Sequence, residues 1–223
     1  VAYVSQNLFG SHDSNRIGSH IVNRGIGNFR DWGKYFNTSV ALNNPNYSTR
    51  KPQAKDIELQ KLFVIMQMTY VGAPMVYYGD EAGMWGGNDP DSRKPMIWPD
   101  IRYEDEVYNA DGSTHAPDKV EINRSLFEHY KKLIHIRKEN PALQQGTYKT
   151  LLADNKKDLL VFERRYKGES IIVVLNNSSQ DAEIALPELR GQCFKDLIST
   201  KEFKAGSKIA VDRKWGLVLA RCP

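Results

Sequence analysis

No run of eighteen or more consecutive apolar residues occurs in the 223-residue chain, and the mean hydropathy is −0.55, so no membrane-spanning helix and no membrane partner is expected. Cysteine is scarce: Cys193 and Cys222 are the only two, too few for a disulfide scaffold and without metal-ligand spacing. A single bridge between them would form in an oxidising compartment, but the expectation is two inert buried thiols, and they decide nothing about compartment, whether periplasmic, secreted or cytoplasmic. Charge of one sign is also scarce. Against 27 Asp and Glu stand 31 Lys and Arg, a net charge of +4, too small and too dispersed for a nucleic-acid partner, which needs a basic stripe. Nothing reads as a glycine loop cradling phosphate ahead of a helix. Gly and Pro, 16 and 10 in number, are unexceptional, which excludes collagen-like, low-complexity and disordered chains. What is present is an ordinary globular composition, 40% hydrophobic, of a length that supports one or two domains. The N-terminal VAYVSQNLFGSHD lacks a charged segment leading to an apolar core and cleavage site. It opens inside a strand-like run, which predicts that the chain is a fragment of a longer one.

The texture changes near residue 146. Before it, two short apolar runs, one ending in Asn7-Leu8-Phe9 and one at Pro74-Met75-Val76-Tyr77-Tyr78, predict strands covered on both faces. DIELQKLFVIMQMTY between them has strong helix formers and no Gly or Pro, predicting a largely buried helix. Leu126, Phe127, Tyr130, Leu133, Ile134 and Arg137 recur at three- and four-residue steps, predicting a helix from about Asn123 to Glu139 that Pro141 stops. Strand, helix, strand, helix is the unit of a parallel α/β fold. Two long loops, from Ile17 to Asp56 and from Ala82 to Ile122, carry Trp32, Tyr35, Phe36, Trp85 and Trp98, an aromatic content that predicts order and function rather than disorder. Both follow strand C-termini, where α/β folds place their sites. From Thr147 the pattern is all β. LLVFERRY, a Lys167-Gly168 turn and ESIIVVLNN predict a hairpin, and weaker runs follow at Glu183 to Leu186, Phe194 to Leu197, Ile209 to Val211 and Leu217 to Ala220, with Gly191, Gly206 and Gly216 among the residues that punctuate them. The fold class is thus α/β plus all-β, with domains at 1–146 and 147–223, the second a small antiparallel sandwich.

Two clusters could carry chemistry. Phe9-Gly10-Ser11-His12-Asp13-Ser14-Asn15-Arg16 sets a carboxylate, an imidazole and a guanidinium within five residues at a strand end. Its bland reading is a turn capped by Asp13, with Arg16 pairing to Asp13 as a local ion bridge. Gly79-Asp80-Glu81, followed by Gly86-Gly87-Asn88-Asp89-Pro90-Asp91-Ser92-Arg93, ends the second strand, and its bland reading is an i, i+4 pair of Asp89 with Arg93. Carboxylates and Arg among aromatic rings describe a carbohydrate cleft better than a phosphate site, because sugar C–H faces stack on rings while hydroxyls seek charged partners.

Leu8-Phe9-Gly10-Ser11-His12-Asp13 resembles the fourth conserved region of the alpha-amylase family of glycoside hydrolases (family 13), and Gly72 to Glu81 resembles its seventh. The continuation GGNDPDSRKPMIW is close to the wording of the neopullulanase, cyclomaltodextrinase and maltogenic amylase branch. The resemblance covers nearly the whole chain and implies the C-terminal part of a (β/α)8 TIM barrel, strands 7 and 8 with their helices, followed by the family's all-β domain. It implies catalytic roles for Asp13, the carboxylate that holds substrate hydroxyls and stabilises the oxocarbenium-like transition state, and for His12, which hydrogen-bonds the same sugar. It implies substrate binding by Arg16, Asp89 and Arg93, the last two toward the non-reducing end, and mainly structural support from Tyr78 and Glu81. The implied partner is an α-glucan oligosaccharide. No cofactor is visible, and calcium, where the family holds it, is implied to sit on segments outside these residues.

The resemblance also marks departures. A retaining glycosidase needs a nucleophile and an acid/base carboxylate about 5–5.5 Å apart; the family carries these as an Asp in a Gly-x-Arg-x-Asp setting and a Glu on the next strand, and neither setting occurs here. A full barrel takes about 250 residues. The expectation is therefore part of a retaining hydrolase of starch-derived oligosaccharides, inactive alone, that associates with itself through an incomplete barrel edge. The alternatives are a glucan transglycosylase or sucrose-active relative, and a non-catalytic carbohydrate-binding homologue.

Overall fold

The computed structural model describes residues 5–26, 31–204 and 208–222; the start of the first apolar run and Gly206 lie outside them, as does the side chain of Trp32. The chain forms two compact units: one of residues 1–7, 61–74 and 129–223, the other of residues 8–60 and 75–128. These units interleave along the sequence instead of following a single boundary.

The predicted α/β elements form with altered lengths. Strand β1 is Gln6–Leu8. The first long loop is not continuous irregular chain, since it contains helices α1, Ile17–Val22, and α2, Trp32–Ser39, whose first turn is capped by Asp31 accepting from the Lys34 N–H at 3.1 Å. Helix α3, Ala54–Thr69, matches the unbroken run of helix formers, and Leu59, Leu62, Val64, Ile65 and Met68 are buried along it. Strand β2 is only Ala73–Met75. Four residues beyond it Gly79 turns the chain at φ +86, a position where a Cβ would collide with Met84 Sδ. Among the described residues β1 and β2 pair only with each other, and they are exposed or half-buried, so the expectation of strands covered on both faces is corrected. The second long loop holds a short 3-10 turn at Asp91–Arg93 and a hairpin of β3, Glu106–Tyr108, and β4, Thr114–Asp118. Helix α4 is Arg124–Glu139. Pro141 ends the run as expected but also starts the short helix α5, Pro141–Gln145, where its fixed φ suits a first turn.

The C-terminal residues form an antiparallel sheet in the order β10-β9-β12-β7-β6-β5 and a two-stranded sheet β11-β8. The strands are β5, Thr147–Asp154, β6, Leu159–Tyr166, and β7, Glu169–Asn176; β8, Ala182–Ile184, β9, Cys193–Asp196, and β10, Glu202–Lys204; and β11, Ile209–Val211, and β12, Trp215–Arg221. The predicted hairpin is present, with Lys167 at φ 44 and Gly168 at φ 90 making the two-residue turn in which both positions are left-handed. Val161, Ile172, Val174, Phe194 and Leu219 of the large sheet pack against Ile184, Ile209 and Val211 of the small one. Each such buried side chain contributes roughly 1.5–3 kcal/mol relative to exposure. Cys193 and Cys222 are joined in a disulfide. The expectation of two free thiols is thus corrected: Cys193 opens β9, Cys222 follows β12, and the antiparallel pairing of these strands brings the two Cα atoms to 5.3 Å.

Candidate functional site

Beyond β1 the chain makes a tight turn stitched by hydroxyls: the Ser11 N–H donates to Ser14 Oγ at 3.0 Å and the Asp13 N–H to Ser11 Oγ at 3.2 Å. The turn presents His12 and Asp13 outward, each side chain 67% exposed, with His12 Nε2 3.1 Å from Asp13 Oδ2. Arg93 reaches them from the 3-10 turn of the second loop. Its Nη2 lies 3.3 Å from Asp13 Oδ1, its Nε donates to the His12 carbonyl at 3.0 Å, and the same Nε is 2.8 Å from Asp89 Oδ1. One guanidinium therefore ties together three of the other residues singled out in the sequence, and His12, Asp13, Asp89 and Arg93 form a single open cluster.

Arg16 does not join it. Its guanidinium is 0% exposed, donates from Nη1 to the Tyr78 carbonyl at 2.6 Å, lies 3.4 Å from Asp80 Oδ1, and stacks over the rings of Tyr77 and Tyr78 at 4.6 and 4.9 Å. Arg16 thus sits in a buried scaffold with Asp80 and the two tyrosine rings, apart from the open cluster. The local Arg16 to Asp13 ion bridge is replaced: Asp13 meets Arg93, and Arg16 meets Asp80. Burial pushes the Asp80 carboxyl up to about 7, opposed by Arg16 and reinforced by the neighbouring Glu81. Tyr78 gives Arg16 its carbonyl and donates its hydroxyl to the Lys94 carbonyl at 2.8 Å, and Glu81 has a buried Oε2 without a hydrogen-bond partner.

Sequence reasoning missed what holds this platform in place. Asn15, buried beside Arg16, donates to Tyr47 Oη at 2.8 Å and accepts from Tyr35 Oη at 2.9 Å, which fastens the site turn to the first long loop; burial makes both phenols weaker acids by raising their pKa. Arg50 holds Asp118 of the β4 hairpin through two bonds, of 2.6 and 3.0 Å, and joins the two long loops. The recoverable signal was an unusual density of Tyr and Asn in loops.

A cavity of about 450 Å³ adjoins Arg93. A larger one, about 940 Å³, is lined by Trp98, Arg102, Glu104, Lys119 and Glu121 and touches neither His12 nor Asp13; its size does not make it the chemical centre, since the acid, imidazole and guanidinium converge elsewhere. Among the described residues, Cys193, Glu202 and Cys222 are the one grouping with metal-ligand proximity, but the sulfurs are bonded to each other and offer no thiolate.

The exposed carboxylate and imidazole, backed by an arginine, form an open polar cluster on an α/β scaffold whose loops carry aromatic residues. Residues 40–146 match the family model described as the alpha amylase catalytic domain, and residues 148–212 match that of the maltogenic amylase C-terminal domain. A cyclomaltodextrinase from Thermoanaerobacter pseudethanolicus is 42% identical over 149 residues, covering 67% of this chain and 22% of that protein. Neopullulanase 2 from Thermoactinomyces vulgaris is 37% identical over 144 residues, covering 64% and 21%. Among solved structures, a maltogenic amylase from S. marinus superposes with a TM-score of 0.60 at 26% identity over 95% of this chain and 21% of that one; an Anoxybacillus alpha-amylase, at 0.71 and 20% identity over 99% and 38%, shows the likeness of fold. The chain belongs to the alpha-amylase family, on the side of its cyclomaltodextrinase, neopullulanase and maltogenic amylase members, and its fold is a portion of the (β/α)8 barrel with an antiparallel β-sandwich. It spans about a fifth of the length of the curated relatives it matches.

Proposed function

We propose that these residues supply the substrate-gripping part of the active site of a retaining glycoside hydrolase that cleaves α-glucosidic bonds in starch-derived oligosaccharides, of maltodextrin, pullulan or cyclodextrin type. In this reading 1–146 is the barrel portion and 147–223 the all-β domain. The observation that carries it is the open cluster of His12, Asp13, Asp89 and Arg93 in a chain of this family. Asp13 accepts the hydroxyls of the sugar ring at the scissile bond, and its negative charge favours the flattened, positively charged ring of the transition state over the neutral ground state, which is what lowers a barrier. His12 donates to the same ring. Arg93 divides its donors between Asp13 and Asp89, so the carboxylate is aimed before substrate arrives. The nucleophile and the acid/base come from residues outside these 223.

The test uses the gene product that carries these residues, assayed on maltotriose, a cyclodextrin and pullulan. Asp13→Asn is expected to lower kcat by about 100- to 1,000-fold with a smaller change in KM, and the 223-residue chain by itself is expected to release no reducing sugar. An Asp13→Asn enzyme at the parent rate, or hydrolysis by the 223-residue chain alone, overturns the reading.

A further inference from the structure

The 450 Å³ groove beside Arg93 has the size of a small-molecule site, and nothing in the reaction at Asp13 requires it. Arg93 forms part of its wall, so it opens directly from the cluster that holds Asp13 and Asp89. The polar part of its lining is held in place. Lys94 Nζ is 2.7 Å from Glu106 Oε2 and 3.3 Å from Asp91 Oδ1, and Asn88 is clamped by its N–H to the Ser39 carbonyl at 2.8 Å and its Nδ2 to Ser39 Oγ at 3.1 Å. Its lining also includes two large side chains left in water: Tyr108, 64% exposed on β3, and Leu42, 65% exposed in the first long loop. The hairpin that carries Tyr108 is not free to drift, because Tyr108 is paired with Thr114 across it and Arg50 anchors Asp118 at its base.

We propose that this groove is an outer binding site for the same α-glucan chain, taking glucose units beyond those held at Asp89 and Arg93, with Tyr108 as the stacking platform. The proposal rests on the functional reading above and adds to it a preference for long substrates. An exposed phenol ring offers its face to the apolar C–H side of a pyranose, and with only two χ angles it gains that contact area at modest entropic cost, on a backbone held by the hairpin. The Lys94 and Glu106 pair and Arg93 supply the charged hydrogen-bond partners that the ring's hydroxyls need. A phosphorylated or strongly anionic ligand fits less well, since Asp91 and Glu106 already neutralise Lys94.

The experiment compares parent, Tyr108→Ala and Tyr108→Phe forms of the gene product by kcat/KM on maltoheptaose and on maltotriose, with calorimetric titration of both sugars. Tyr108→Ala is expected to lower the maltoheptaose to maltotriose preference by roughly 5- to 10-fold while leaving maltotriose hydrolysis unchanged, and Tyr108→Phe is expected to keep the preference because it keeps the ring. An unchanged preference in Tyr108→Ala, or an equal loss on both sugars, overturns the proposal. If the parent hydrolyses neither sugar yet binds maltoheptaose in a Tyr108-dependent way, the hydrolase reading falls and the groove stands; absence of that dependence as well overturns both.

Discussion

Arg93 and Arg16 differ by the company they keep. Each follows an acidic segment at the end of a strand, and each could pair within its own loop. Arg93 keeps its local partner, Asp89, and adds Asp13 from the other loop. Arg16 instead turns inward to Asp80 and two tyrosine rings. The sequence made the cluster legible as residue types at strand ends, but not which arginine would serve it, because that is decided by which carboxylate each guanidinium can reach once two distant segments meet. The buried pair yields a prediction. Removing one member of a buried ion pair strands the other, so Arg16→Met is expected to cost about 3–5 kcal/mol. The sign with pH follows from Asp80, whose folded value is raised to about 7. Below its ordinary range the carboxyl is neutral in both states; between that range and about 7 the folded state holds a proton that the unfolded chain has lost, so stability falls as pH climbs through this window. Without Arg16 the value moves higher still, and the window widens. Denaturant unfolding, followed by a probe in residues 8–60 and 75–128, is expected to show a larger deficit for Arg16→Met at about pH 9 than at about pH 6. A deficit independent of pH would mean that Asp80 does not feel Arg16.

Elements were legible where a local rule sufficed. The Lys167-Gly168 turn and the helix α4 periodicity are read within one window, and both appear nearly where expected. Short elements escaped. Helix α1 has six residues and no side-chain cap, and β10, Glu202–Lys204, is a three-residue edge strand whose charged sequence carries no alternation. Arg164 and Arg165 look alike in sequence, yet the two-residue period of β6 sends Arg165 to solvent and buries Arg164, which donates to the carbonyls of Thr69 and Gly146 at 2.7 and 3.0 Å. Helix α4 supports a prediction of its own. His129 is buried beside Trp215, its ring 5.5 Å away, and bonds the Lys61 carbonyl at 3.0 Å. A carbonyl only accepts, so Nε2 carries the proton. Burial, with smaller repulsion from Lys61 and Lys132, lowers the imidazole from 6.5 to about 4 although the bond to Lys61 opposes this. The unfolded chain therefore takes up a proton between about 6.5 and 4 that the folded one refuses. The stability His129 contributes is present above that window and lost as pH falls through it, on the order of 3 kcal/mol. His129→Gln, which retains an N–H donor, is expected to flatten the acid dependence of unfolding for residues 129–223, measured by denaturant titration at about pH 7 and about pH 4.5; an unaltered slope would place the acid sensitivity elsewhere.

At the scale of the molecule, the chain's two halves differ in how fully they satisfy themselves. The β-rich residues close a core between two sheets and lock it with Cys193–Cys222, a bridge whose partners the sequence left no choice about but whose formation depends on the pairing of β9 with β12. The strands β1 and β2, read correctly as strands but not as exposed ones, have only each other among the described residues. A two-stranded ribbon is marginal alone, and its outer edges offer unpaired N–H and C=O groups to any chain that arrives. Leu8, 43% exposed at the end of β1, adds apolar surface there. The 223-residue chain is therefore expected to self-associate through this edge, with sedimentation velocity showing oligomers that grow with concentration. Leu8→Lys places a charge at the edge and is expected to shift the population toward monomer. Leu42→Lys, which changes a more exposed apolar residue in the first long loop, is expected to leave it unchanged, and this separates edge pairing from general stickiness. A parent chain that stays monomeric at every concentration, or equal responses of the two lysine variants, would remove the edge as the cause of association.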